Sequence, residues 1–253
     1  MPADSGGERI SIIVPVYNEA AGIRSFLIRL RERASAAEII VVDGQSTDDT
    51  ATLAEPLCDQ LVAAKRGRGR QMNAGARAAT GDIFWFLHAD TAVPPNCLPQ
   101  IERTLREKNV AGGYFRIQLP RERFVYRFTD SFAHYAGKML RMRCGDHGLF
   151  CRRPLFEQIG GFPEVDLMED VELFRALYDC GRMRGLRSRL MVSARRYEAV
   201  GPAKLTLAYG LIGMLYAFGV PLPWLAALYR RTCSVGYSYR GEQGRHELAL
   251  HLP

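Results

Sequence analysis

ISIIVPVYNEA (residues 10–20) and EIIVVDGQSTDDT (residues 38–50) decide the fold. Each opens on an apolar, β-branched run and ends on polar residues that suit a turn. Runs that do not alternate polar with apolar belong to strands buried on both faces, which implies a parallel sheet covered by helices. Ile10–Pro15 therefore reads as the first strand and Glu38–Val42 as the second. Asn18 is expected to cap a helix running to about Arg33, with Ile23, Phe26, Leu27 and Leu30 on one face. Ser46 to Thr50 offers turn and cap chemistry for a helix reaching about Leu57.

Outward from this pair, Gln60–Ala64 reads as a short third strand and Arg70–Thr80 as a helix. Asp82–Leu87 is β-branched and aromatic enough for a central strand. Pro94, Pro95 and Pro99 bracket the start of a helix to about Lys108, and Val110–Leu119 reads as a strand. Phe124–Leu140 has an amphipathic helical pattern. A strand at His147–Cys151, a turn at Gly160–Pro163, a helix at Asp170–Cys180 and a short strand at Met191–Ser193 complete the pattern. Strands alternating with helices specify right-handed crossovers. The expected class is α/β: a Rossmann-like, mostly parallel sheet flanked by helices. Residues 1–200 read as one domain, and 201–253 as a C-terminal hydrophobic helical segment.

With 47% apolar and 24% charged residues the 253-residue chain is globular. Its net charge of +7 comes from 34 Lys and Arg, of which only Lys65, Lys108, Lys138 and Lys204 are Lys. The basic residues are scattered and carry no nucleic-acid-binding motif, so no nucleic-acid partner is expected. They suit diphosphates or anionic lipid as well as a solvated surface. Six cysteines form no CxxC pair and read as reduced thiols of a cytoplasmic protein. MPADSGGERI contains no apolar signal region. Leu205 to Tyr229 lacks charge, but Pro221 and Pro223 leave 16 residues from Leu205 to Val220. That is about 24 Å of helix against a hydrocarbon core of about 30 Å, too short for a simple span. Packing in the protein, pairing in a homodimer or peripheral attachment at the inner face of the membrane fit better.

Acidic residues then mark the chemistry. Asp43 ends the second apolar run, Asp90 follows the run in GDIFWFLHADT (residues 81–91), and Glu169-Asp170 opens the helix in PEVDLMEDVEL (residues 163–173). Carboxylates at the carboxyl ends of parallel strands sit where an open α/β sheet binds ligands. Three can divide the labour: one for a base or ribose, one for a metal on a diphosphate, one for a proton. That division suits a transferase using a nucleotide-activated donor. RGRGRQMNAGA (residues 66–76) places glycines and arginines before a helix, a cradle for phosphates that lacks the Lys and hydroxyl of a P-loop. In Gly145-Asp146-His147-Gly148, Asp146 and His147 face acceptor or sugar, or form an ordinary polar turn. Asp48 and Asp49 read as capping residues only.

In order and spacing, PVYNEA, Asp43, RQMNAGA, HAD and MED resemble a family 2 glycosyltransferase with the GT-A fold, over Ile10 to Tyr197. GR-x-RQMNAGA, FLHADT, GD-x-GLF and LMEDVEL are further similar to a compact bacterial subgroup of radical-SAM/selenodomain-associated, arsenosugar-biosynthesis-type transferases. The resemblance implies an inverting transfer from a nucleotide-sugar donor, expected to be a UDP-sugar, to a small-molecule or lipid-linked acceptor. It places Pro15, Tyr17, Glu19, Asp43, Arg70, Asn73, His88, Ala89 and Asp90 at the donor. Asp90 becomes the ligand of Mn2+ or Mg2+, Asp170 the general base with Glu169 beside it, and Arg195 and Arg196 the pair closing on the diphosphate. Burial beside Glu169 would suit Asp170 to base work by raising its pKa.

The chain departs from the family pattern at Gln45, at Met72 where Arg is common, and at His88, which replaces the first acid of the Asp-x-Asp motif. Three other readings stand beside the transferase. A sugar nucleotidyltransferase would want a glycine-rich basic loop after the first strand. A non-catalytic nucleotide-sugar-binding or membrane-scaffold protein would leave Glu169-Asp170 without a task. A basic nucleic-acid binder would show a steep salt dependence.

Overall fold

A computed structural model describes residues 7–119, 143 and 145–233, so the expected helix at Phe124–Leu140 lies outside the described residues. The two opening runs form β1 (Ile10–Val16) and β2 (Glu38–Asp43), parallel, with Ile12 opposite Ile39 and Val14 opposite Val41. β3 (Gln60–Ala63) extends the parallel sheet beyond β2, and β4 (Ile83–Phe86) pairs in parallel on the other flank of β1. The crossovers are α1 (Ala20–Arg33), α2 (Thr50–Ala54) with a 3-10 turn at Glu55–Leu57, and α3 (Arg68–Ala78).

Successive residues of a strand point to opposite faces. Ile12 and Val14 join Ile39, Val41 and the Ile23, Phe26, Leu27 and Leu30 face of α1 in one core. Ile13 joins Ile40, Val42 and Phe84 with Met72 and Ala76 of α3 in the other. Both faces are dry, which is why the runs do not alternate, and each fully buried Ile or Phe contributes about 1.5–3 kcal/mol.

The second half is β5 (Thr91–Ala92), α4 (Cys97–Leu105), β6 (Val110–Gln118), β7 (Phe150–Arg152), α5 (Arg153–Gln158), α6 (Glu169–Cys180) and β8 (Arg182–Val192). It closes with α7 (Arg195–Val200), α8 (Pro202–Ala217) and α9 (Leu222–Cys233). The sheet order is β3-β2-β1-β4-β7-β6-β8-β5. The first four strands are parallel, as expected. β7 is antiparallel to β4 and β6, while β8 is parallel to β6 and antiparallel to β5. The sheet is therefore mixed in its second half. The chain steps from β1 outward to β3, then returns to β4 across β1. That reversal is a topological switch point, and the carboxyl ends of β1 and β4 open a crevice there.

Two sequence expectations are corrected. Asn18 does not cap α1: it is left-handed at φ 53°, and its Oδ1 accepts from the Thr47 N–H at 2.8 Å. The start of α1 is held from the β2–α2 loop instead, where Asp48 accepts from the Ala20 N–H and Thr50 Oγ1 from the Glu19 N–H. The strand expected at Met191–Ser193 is β8, eleven residues long. As expected, the described part of the C-terminal segment is helical, α8 and α9, and among the described residues no helix is long and apolar enough to cross a membrane.

Opposite the crevice, at the strands' amino ends, Glu38 accepts from Ser11 Oγ, the Thr80 N–H at 2.8 Å and Gln60 Nε2 at 2.8 Å. Burial works against its charge, but these three donors outweigh it and lower the pKa of Glu38. A lowered folded-state pKa means stability present above the unfolded value of about 4.3 and lost as pH falls through the folded value. Glu38→Gln should cost about 1.5–3 kcal/mol at pH 7. In thermal melts recorded from pH 7 to pH 3, the gap from the parent chain should narrow; a gap independent of pH would contradict this role for Glu38.

Candidate active site

The crevice is lined by the residues just beyond β1, β2 and β4. Pro15 lies within β1 opposite Val42, at the mouth. Tyr17 emerges next, and Arg66 stacks on its ring with the guanidinium carbon 3.9 Å from the centroid. Asp43 is buried, and its carboxylate accepts from both the N–H and the hydroxyl of Ser46. A carboxylate has about four acceptor sites, so two bonds leave Asp43 with capacity for a ligand. Gln71 of α3 fixes this edge from beneath: its Nε2 donates at 2.8 Å to the carbonyls of both Val16 and Val42.

Beyond β4, Ala89 packs on the core, so it offers a ligand its backbone. Asp90 lies one residue before β5. Because Thr91 pairs with Val192, the end of β8 is brought alongside. Arg195 thus reaches between two carboxylates, 3.2 Å from Glu19 and 3.9 Å from Asp90, and Arg196 is next in the same helix. His88 turns the other way. Its Nδ1 meets the Asp146 carboxylate at 3.0 Å, while its Nε2 is buried and finds no hydrogen-bond partner among the described residues. Burial and Arg68 work against the imidazolium, but the hydrogen bond and charge of Asp146, with Asp90, outweigh them and raise the His88 pKa. Asp146 is conversely held well below the usual carboxylate range: the desolvation that would raise it is overcome by His88, Arg68 and His147. His147 is buried edge-on to Tyr114.

The third group arrives on α6. Met168 takes a left-handed conformation, φ 67°, and turns the chain into the helix, so Glu169 and Asp170 occupy its first turn. Acids there are favoured by the unpaired N–H groups. Both are buried, and Asp170 Oδ1 accepts from the Val171 N–H at 2.7 Å. Arg68 lies 3.7 Å from Glu169 and within electrostatic reach of His88 and Asp146, so one guanidinium links the β4 edge to α6.

The RGRGRQMN stretch does more clasping than cradling. Asn73, expected beside the donor, accepts from the Phe162 N–H at 2.9 Å and donates to the Phe162 carbonyl at 2.8 Å. Arg70, likewise expected there, pairs with Glu164 at 3.0 Å. Gly69 is required because a Cβ would stand 2.5 Å from the Pro163 carbonyl, and Gly161 holds a left-handed φ of 77° with Asn73 against it. Phe162 packs edge-on to Phe86, 4.8 Å between centroids, anchoring the turn in the core. The segment that delivers Glu169 and Asp170 is therefore pinned to α3. Asn73→Ala removes two bonds to part-buried backbone, about 1–3 kcal/mol. It should lower the thermal midpoint; a midpoint equal to that of the parent chain would contradict the clasping role of Asn73.

Residues 11–158, more than half of the chain, match glycosyl transferase family 2. The chain belongs to that family. Its fold is GT-A: the mannosyltransferase PcManGT of Pyrobaculum calidifontis, solved with GDP-Man and Mn2+, superposes with a TM-score of 0.65 at 22% identity, covering 89% of this chain and 70% of that one. The uncharacterized glycosyltransferase alr2836 of Nostoc is 33% identical over 112 residues, 41% of this chain and 35% of the relative. The undecaprenyl-phosphate 4-deoxy-4-formamido-L-arabinose transferase of Yersinia enterocolitica is 27% identical over 169 residues, 57% of this chain and 48% of the relative. The chain spans less than half the length of the curated relatives it matches.

In this family member the residues at the crevice not singled out from the sequence are Arg66, Arg68 and Gln71. Gln71 carried a signal, lying one turn before Gly75 on the buried stripe of α3. Arg66 and Arg68 are two of three arginines alternating with glycine in residues 66–70, and their partners, Tyr17 and Glu169, lie far away in the sequence.

Proposed function

We propose that this glycosyltransferase moves a sugar from a nucleotide-sugar donor to an acceptor in a single displacement that inverts the anomeric centre. The observation that carries the reading is the convergence of Glu19, Arg195 and Asp90 at the switch-point crevice, with buried Asp170 tied to the same crevice through Glu169 and Arg68. Tyr17 and Asp43 take the base and ribose. The helix that starts Arg195-Arg196 closes on the diphosphate, and His88, oriented by Asp146, faces the ribose or sugar. Asp170 removes the acceptor's proton, and Glu169 and His147 shape the acceptor side.

Asp90 is the residue that would hold Mn2+ or Mg2+. Its side chain is 37% exposed, and its hard oxygens suit either ion. Among the described residues no group of three or more His, Cys, Asp and Glu could hold a metal by itself. When bound, the ion supplies positive charge against the departing diphosphate.

A UDP-sugar is the donor proposed; the GDP-Man held by the Pyrobaculum protein makes GDP-sugars the second class to test. Acceptors named for relatives include undecaprenyl phosphate, which supports a lipid-linked acceptor reached at the inner face of the membrane. The test is calorimetric titration with UDP, GDP and their sugars, with and without Mn2+. Metal-enhanced binding of one nucleotide is expected. No binding under any condition would sink the reading.

A further inference from the structure

α8 and α9 form an antiparallel hairpin: Tyr209 stacks on Tyr229 at 6.4 Å, and the turn closes with the Val220 N–H on the Leu215 carbonyl at 3.0 Å. One face holds the hairpin to the protein. Ile212, Tyr216 and Leu225 bury against Val171 of α6, and the Tyr216 hydroxyl donates to Glu172 and accepts from Arg175 at 2.9 Å. The other face is apolar and open. Leu207, Leu211, Met214 and Phe218 recur every three or four residues, one stripe of a helix, and all are exposed. Phe218, 81% exposed, ends α8, and Trp224, 74% exposed, lies in the first turn of α9, both near the tip.

The charges of this hairpin are segregated. Between Gly201 and Cys233 there is no Asp or Glu, and the charged residues are Lys204, Arg230 and Arg231. The antiparallel arrangement collects all three at the end away from the tip, where Arg230 also meets Asp166 at 3.3 Å. An apolar stripe with Trp at one end and cations at the other matches the requirements of an anionic bilayer surface. A second copy would bring the same face, which carries Lys204 and Arg231 and no acid, so like charges would meet.

We propose that the α8–α9 hairpin is a membrane-surface anchor, lying in the interface of an anionic bilayer with its apolar stripe among the acyl chains and Lys204, Arg230 and Arg231 at the headgroups. Because its inner face packs on Val171 and Glu172, the anchor holds Asp170 at a fixed height over the lipid. The acceptor class this implies, a lipid-borne nucleophile, rests on the transferase reading above; the anchor does not.

The test uses the whole chain with vesicles of phosphatidylglycerol and phosphatidylcholine, against vesicles of phosphatidylcholine alone. Trp85 is fully buried, so a blue shift of tryptophan emission on binding reports Trp224. Binding should favour the anionic vesicles and weaken with salt. In Leu207→Asp/Phe218→Asp it should fall about a hundredfold, since each side chain buries apolar area worth about tenfold or more. The thermal midpoint and the nucleotide titration of this variant should match the parent. Equal vesicle binding by parent and variant, or none by the parent, would overturn the anchor. So would a dimer broken by the same pair without vesicle binding, which would assign the stripe to a second copy. Vesicle binding needs no donor, so a failed anchor with intact nucleotide binding is distinguishable from a failed transferase reading.

Discussion

Asp170→Asn is expected to lower sugar transfer about 10²–10⁴-fold, the range lost when a positioned general base is removed, with donor affinity nearly unchanged. The substitution keeps the shape of the side chain and the oxygen that accepts from the Val171 N–H, so α6 should retain its start. Glu169 stays beside Arg68 at 3.7 Å and leaves the link to the β4 edge intact. Single-turnover transfer and nucleotide titration on the same preparation check the split. Loss of donor affinity in parallel with turnover would contradict the role given to Asp170.

Asp90→Asn should act on the other side of the reaction. Neutralising this carboxylate removes the proposed cation ligand while leaving Arg195 its closer partner Glu19. The Mn2+-dependent part of donor affinity should disappear, and transfer should fall about 10²–10³-fold, the scale for removing one element that stabilises developing charge. Binding without metal, carried by Tyr17 and Asp43, should persist. Nucleotide titrations with and without Mn2+ separate the two parts; a variant that still responds to Mn2+ as the parent does would remove Asp90 from the metal.

The parallel half of the sheet was legible because burial on both faces leaves a clear trace, apolar residues from Ile10 to Val16 broken only by Ser11, and from Ile39 to Val42 without a break. β8 was not. Arg182, Arg184, Arg187 and Arg189 face solvent, so only its last apolar residues read as a strand. Asp43 and Asp90 stood out because an acid at the end of an apolar run has no structural need to be there; Glu169-Asp170, which a helix start favours in any case, stood out only by its order after them. The clasp was invisible for the opposite reason: Asn73 and Phe162 lie 89 residues apart, and Arg70 and Glu164 lie 94 apart. A glycine- and arginine-rich loop suggests phosphate in the absence of any view of what crosses it.

That clasp ties two ends of the chemistry into one cooperative unit. Amide hydrogens of α3 and those of the Phe162–Asp170 segment should exchange with solvent together, since opening either one breaks the bonds of Asn73 with Phe162. The geometry around Asp170 can then be adjusted from residues of α3 that lie far from it in sequence. A substitution in QMNAG would reach Asp170 as a change in the free energy of a shared local unfolding.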